Sequence, residues 1–203
     1  MKLSSTTTPT VPSEIRLLDT NQLAGFRTEY FDTITLDATN ERSAWQYLGE
    51  ELVGRNFAGV STKSLQSVFM YQRPLLEDGE FEFETYYIPG ELEVHPVIGR
   101  VAFLLRPDGA KLHLRTDGPF ERSGLMPDNA AEIAGAPPVP LKVKDWNQVK
   151  VVVTGDRATL FVNGTEVAQA DLRDPRERRC LGLFKFANQT KCRVRNFVYR
   201  GNW

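Results

Sequence analysis

Apolar and polar side chains alternate with a period of two across three runs between Asp145 and Leu172, DWNQVKVVVTGDRATLFVNGTEVAQADL. Val149, Val151 and Val153 recur at every second position, and Ala158, Leu160 and Val162 repeat the pattern after Gly155-Asp156. That period sends alternate side chains to opposite faces, so each run is expected to be a strand with one buried side. Asn163-Gly164 separates the second run from the third. Both central residues of a type I′ hairpin turn need positive φ, which Gly adopts freely and Asn at little cost. Thr165 to Leu172 is then the returning strand. Trp146 opens this meander, and its ring is expected under the sheet end with the indole N–H near water.

The rest of the chain carries shorter versions of the same pattern. Arg27 to Ala38 reads as an opening strand, and Trp45 to Gly54 as two short strands in preference to an amphipathic helix. Leu65 to Tyr71 alternates and ends at Arg73-Pro74. After the Asp78-Gly79 turn, Phe81 and Phe83 face one side and Glu80, Glu82 and Glu84 the other, until Pro89-Gly90 closes the run. Arg100 to Arg106 and Lys111 to Arg115 flank a Pro107-Asp108-Gly109 turn, and Cys180 to Ala187 and Cys192 to Arg200 complete the set. His95-Pro96 is placed in a loop. Gly118 to Pro140 has no period, and a connection of that length is often functional. About a dozen short strands, with turns every 8 to 12 residues or so, predict an all-β, two-sheet antiparallel jelly-roll sandwich. Residues 1–13 are small, polar and Pro-containing, as in a leader or linker, and residues 14–203 are expected to form one domain.

Composition narrows the function classes. The chain has 203 residues, 41% of them hydrophobic, and a formal net charge of −1. No apolar run is long enough for a membrane span and no hydrophobic signal core follows Lys2, so neither export nor a membrane partner is expected. The distribution of charge says more than its sum. Glu77 to Glu93 holds seven acidic and no basic residues, whereas Arg173 to Arg200 holds nine basic and two acidic. The two segments are expected to meet each other or a charged partner. Opposite charges across a ladder contribute about 0.2 to 1 kcal/mol per pair, and Glu82 and Glu84 are expected to face Arg193 and Arg195. Cys180 and Cys192 are expected to be free buried thiols. The N-x-T sequons at Asn163 and Asn188 fall in turns, where Asn is favoured for backbone reasons.

The motifs W-N-x-V-x-V-x-V-x-G-D, L-F-V-N-G, L-G-L-F and V-R-N-F-x-Y-R-G-N-W resemble the second half of the concanavalin A-like lectin/glucanase jelly roll. That pattern is shared with laminin-G-like domains and with bacterial sugar-hydrolase-related domains. RPLLEDGEFEFETYY, EVHPVIGRVAFLLRPDG and RVRNFVYRGNW are similar to a planctomycete family of unknown function whose members occur as modules in larger proteins. The likeness runs from Trp45 to Trp203. Gly99 departs from it, since an acidic residue is expected before Arg100. The resemblance implies the sandwich fold and supplies no catalytic residues.

Retaining glycoside hydrolases of this fold carry alternating acids on one strand, as Glu80, Glu82 and Glu84 do. A nucleophile and an acid/base must stand about 5 Å apart, which positions i and i+4 of a straight strand do not satisfy. The strand that would correspond to the catalytic one, Lys111 to Arg115, has no carboxylate, so no catalytic residue is assigned. His95 and His113 lack a third ligand at metal-binding spacing, and no metal site is assigned. Calcium remains open as a cofactor through turn aspartates Asp78, Asp108, Asp117 and Asp128, but no spacing picks out ligands. Nucleic acid is not expected as a partner, because the chain is not basic and has neither a recognition helix nor an RNA-binding aromatic motif.

Carbohydrate binding is the favoured reading. Arg100, His113 and Arg115 on neighbouring strands, with His95, could line a shared concave face for hydroxyls or sulfates, with Tyr86, Tyr87 or Trp146 to stack on a sugar ring. This gives a non-catalytic module for a glycan, an acidic or sulfated polysaccharide being preferred. The alternatives are a glycoside hydrolase-like enzyme with Gly118 to Pro140 as a lid, and a structural module packed on neighbouring domains.

Overall fold

Strand alternation becomes two packed layers in the computed structural model, which describes residues 14–19, 23–28, 34–35, 45–55, 66–75, 77–114, 131–172, 178–186 and 190–201. The strands in chain order are β1 (Glu14–Arg16), β2 (Phe26–Thr28), β3 (Ile34–Thr35), β4 (Trp45–Tyr47), β5 (Leu52–Gly54), β6 (Gln66–Pro74), β7 (Gly79–Tyr87) and β8 (His95–Ile98). They continue as β9 (Val101–Leu104), β10 (Lys111–Leu114), β11 (Ala131–Glu132), β12 (Asp145–Thr154), β13 (Arg157–Val162), β14 (Thr165–Asp171), β15 (Cys180–Phe186) and β16 (Cys192–Gly201). A 3-10 turn at Leu23–Gly25 is the only helical element among the described residues.

One sheet has nine strands in the order β14-β13-β12-β7-β16-β5-β4-β3, with β1 added to β16; the other has seven, β11-β10-β9-β8-β15-β6-β2. The ladders are antiparallel except for the short β3–β4 pair. Consecutive strands repeatedly change sheet, as β6 to β7 and β15 to β16 do. This is the all-β jelly-roll sandwich that the alternation predicts.

The main core lies between the layers. Phe81, Phe83, Val149, Val151, Val153, Leu160 and Val194 point inward from the larger sheet, and Phe69, Ile98, Phe103, Leu181 and Leu183 from the smaller. Each buried side chain of this size contributes about 1.5–3 kcal/mol, which fixes the register that keeps the intervening glutamates and arginines outward. The opposite face of the seven-stranded sheet is buried as well. Val68, Met70, Val97, Ala102, Leu104, Cys180, Phe184 and Phe186 form a second cluster there. Every residue of β15 is consequently buried, including Lys185, whose ammonium donates to the Arg55 carbonyl (2.5 Å).

Several expectations change. Arg27 to Ala38 is not one strand, because β2 belongs to the smaller sheet and β3 to the larger. His95-Pro96 lies in β8 and not in a loop. The Gly118 to Pro140 segment contributes β11 at the sheet edge; residues 115–130, Arg115 among them, lie outside the described residues, as does Asn188. Gly99 takes φ +56° at the β8–β9 turn, a conformation that favours glycine over the acidic residue expected there. Cys180 and Cys192 are buried thiols outside any disulfide, one in each sheet. Burial pushes the Cys192 thiol up to about 11.

Candidate functional site

The acidic strand and the basic strand are neighbours. β7 lies between β12 and β16, with Glu84 opposite both Gln148 and Arg195 and Glu80 opposite both Val152 and Arg200. Because Phe81, Phe83 and Thr85 point into the core, Glu80, Glu82, Glu84 and Tyr86 line the outer surface of the nine-stranded sheet. Arg195 binds Glu84 at 2.6 Å, and Asn196 donates to the other carboxylate oxygen at 3.2 Å. Glu82 takes Arg200 (3.0 Å) and the Gln148 amide (3.3 Å), while Glu80 takes Arg200 (3.2 Å) and Lys150 (3.6 Å).

The expected Glu82–Arg193 pair does not form. The strands run antiparallel with Arg195 opposite Glu84, which carries Arg193 away from Glu82 to the Tyr86 ring; on the other side a bulge between Arg195 and Val198 inserts one extra residue, with Asn196 at φ +53°, so Val198 comes opposite Glu82. Arg193 instead makes a two-pronged pair with Glu51, with both N···O distances 2.8 Å. Hydrogen bonding to that guanidinium holds the Glu51 carboxyl below its usual range. Glu14, on β1, adds a third carboxylate to Arg200 at 2.9 Å.

An aromatic pair closes one end of this charged stripe. Trp146 faces outward, not under the sheet end, and meets Tyr86 edge to face with ring centroids 5.5 Å apart. Arg195 stands 4.0 Å from the Trp146 ring centroid, and Arg193 lies 5.0 Å from Tyr86 and 5.3 Å from Trp146. A guanidinium over a ring face is attracted by the ring quadrupole, so the two arginines fix the aromatic side chains as well as the carboxylates. Trp146, Glu84, Gln148, Lys142, Asn163 and Arg195 line a depression of about 440 Å³. A second depression, about 780 Å³, shares Glu84 and Arg195 and extends over Glu82, Arg200, Arg16 and Tyr47.

Asn147 supports this end from behind, a role that sequence reasoning missed. It is fully buried; its Oδ1 accepts from the Lys142 N–H (2.7 Å) and from Asn163 Nδ2 (2.8 Å), and its Nδ2 donates to the Lys142 and Asp145 carbonyls. The signal was legible: Asn147 occupies the inward parity of a strand whose other inward residues are valines, so its amide needs internal partners. Asn163 sits in the β13–β14 turn at φ +49° with Gly164 at +81°, and its side chain also donates to the Pro140 carbonyl and accepts from the Gln148 N–H. The amide of this sequon thus serves the turn.

The expected binding residues separate into two groups. Tyr86 and Trp146 meet on the outer face of the larger sheet, whereas Tyr87, at the inward parity of β7, is buried and cannot stack on a ligand. His95 and His113 belong to the smaller sheet, each only 1% exposed, with their rings 6.0 and 5.7 Å from Phe184. Arg100 stands at the β8–β9 turn of that sheet, partly exposed. β9 and β10 do pair, with His113 opposite Ala102, but burial leaves the His113 ring inaccessible to a ligand. Among the described residues no three His, Cys, Asp or Glu side chains are placed to hold a metal ion. Asp78 Oδ1 instead accepts from the Gly155 N–H at 2.7 Å, closing one sheet end.

Residues 60–203 match the model of a family described as a domain of unknown function, DUF1583_N. The chain belongs to that family. No curated protein matches it. Among solved structures, the carbohydrate-binding module CBM66 from Bacillus subtilis superposes with a TM-score of 0.54 at 16% identity, over 87% of this chain and 96% of that one. A putative glycosyl hydrolase from Parabacteroides distasonis gives 0.51 at 13% identity, covering 93% and 99%. The exoplasmic/lumenal domain of VIP36, in a Ca²⁺/Man-bound form, gives 0.51 at 8% identity, covering 88% and 83%. At these identities the likeness establishes the concanavalin A-like fold of this family member.

Proposed function

We propose that this DUF1583_N chain is a non-catalytic carbohydrate-binding module and that its ligand lies on the outer face of the nine-stranded sheet. The carrying observation is the partly exposed Trp146, braced by Tyr86, Arg193 and Arg195 beside a depression rimmed by Glu84, Gln148, Lys142 and Asn163. An indole held by cations offers an apolar platform for a sugar ring, and the rim supplies donors and acceptors for hydroxyls. Fold relatives whose names include a carbohydrate-binding module and a mannose-bound domain lend support.

Charge balance favours a neutral glycan over the acidic or sulfated one first expected. Arg193, Arg195 and Arg200 each hold at least one carboxylate, so a sulfate would have to displace Glu51, Glu84 or Glu82. Hydroxyls, which donate and accept, can bind these pairs without breaking them. The test is a glycan array followed by affinity gel electrophoresis on the selected polysaccharide. Trp146→Ala, a partly exposed position, should retain the wild-type Tm and weaken binding at least about tenfold, the scale of losing an aromatic anchor. Unchanged retardation of that variant, or an array without a single neutral ligand, would remove the proposal.

A further inference from the structure

Resting on the carbohydrate-binding reading, we infer that the face takes an internal stretch of a polysaccharide chain, several sugar rings long, and not a monosaccharide or a chain end. The two depressions are each of ligand size, about 440 and 780 Å³, and the Glu84–Arg195 pair is a wall common to both. A ligand filling one therefore touches the boundary of the other. Recognition of a chain end needs a blind pocket that encloses the last ring. Here the floor is a strand ladder, and the side chains that rise from it stay open: Glu84 is 31% exposed, Arg195 39% and Arg200 37%.

The ladder also imposes a repeat. Outward positions on β7 follow one another at about 7 Å, so Glu80 to Tyr86 spans about 20 Å. Each step presents an acceptor or ring on β7 flanked by groups from one or both neighbouring strands: Lys150 and Arg200 at Glu80, Gln148 and Arg200 at Glu82, Arg195 and Asn196 of β16 at Glu84, and Trp146 and Arg193 at Tyr86. A row of similar polar stations fits a ligand that itself repeats. The stripe ends on an aromatic platform near Lys142; to its side, level with Glu82 and across the larger depression, stands the exposed Arg16 of β1.

An array of neutral gluco-, manno-, xylo-, galacto- and fructo-oligosaccharides of one to six units, with calorimetry on the series that binds, tests this. Monosaccharides should give no heat, and affinity should rise at least about tenfold between two and four units before levelling. Arg16→Ala should weaken the longest members several-fold while leaving the disaccharide unchanged, a length dependence that misfolding cannot mimic. If one or two units bind as tightly as six, the extended site is wrong and carbohydrate binding stands. If no series binds, both fall.

Discussion

His95 places a pH-sensitive imidazole in the second buried cluster, on the outer face of the seven-stranded sheet. The Leu105 N–H donates to its Nδ1 at 3.1 Å, Nε2 has no hydrogen-bond partner among the described residues, and Phe184 and Phe186 pack on the ring. Burial, reinforced by the charges of Arg106 and His113, holds this imidazole well below its usual range. The unfolded chain takes up a proton near pH 6.5 while the native state does not, so stability is complete above that pH. It is lost as pH falls below 6.5 towards the native pKa, by at most about 1.4 kcal/mol per unit. Glu51, held low by Arg193, acts only below its ordinary range near 4.5. Thermal melts should therefore show Tm declining between pH 6.5 and 5, and His95→Gln, which can still accept from Leu105, should flatten part of that slope. A wild-type Tm that holds steady across this window would contradict the buried neutral ring. Tyr86 and Trp146 were legible as candidates from aromaticity alone, but their meeting on one outer face was not. The burial of His95 and His113 was not, because a histidine at an alternate strand position looks the same whether its face is open or covered.

At the scale of elements, the bulge in β16 decides which charges meet. One extra residue between Arg195 and Val198 lets Arg193 and Arg195 face outward before it and Arg200 after it, while Phe197 and Tyr199 remain in the core. The sequence shows alternation on both sides of Asn196 but no sign of the slip, so the Glu84–Arg195 pair was predictable and the Glu82–Arg200 pair was not. Deleting Asn196 would turn Tyr199 outward and Arg200 inward, and such a register flip exposes a whole strand face. That deletion should abolish cooperative urea unfolding. Asn196→Gly, which keeps φ +53° accessible, should stay within about 0.5 kcal/mol of wild type. Native-like unfolding of the deletion variant would show that the bulge is dispensable. Likewise, the run CLGLFKF of β15, apolar except for Lys185, is the mark of a strand covered on both sides, and it foretells the second buried cluster more clearly than alternation could.

Across the whole molecule, the charge asymmetry of the sequence resolves internally: the acidic run supplies β7, the basic end supplies β16, and the two lie side by side in the larger sheet. Two layers were legible because alternate positions along β7, β12 and β13 carry the core. The assignment of the candidate site to one sheet was not, because the sequence does not say which outer face is covered. The proposed ligand-binding surface is the outer face of the nine-stranded sheet. Backbone NMR of the ¹⁵N-labelled chain, titrated with the neutral oligosaccharide selected on the array, locates the bound ligand residue by residue. Shifts should concentrate on Tyr86, Glu84, Trp146, Gln148, Arg193 and Arg195 and fade along β7 towards Glu80. Shifts confined to the seven-stranded sheet, around Arg100 and β10, would place the ligand elsewhere and overturn the proposal.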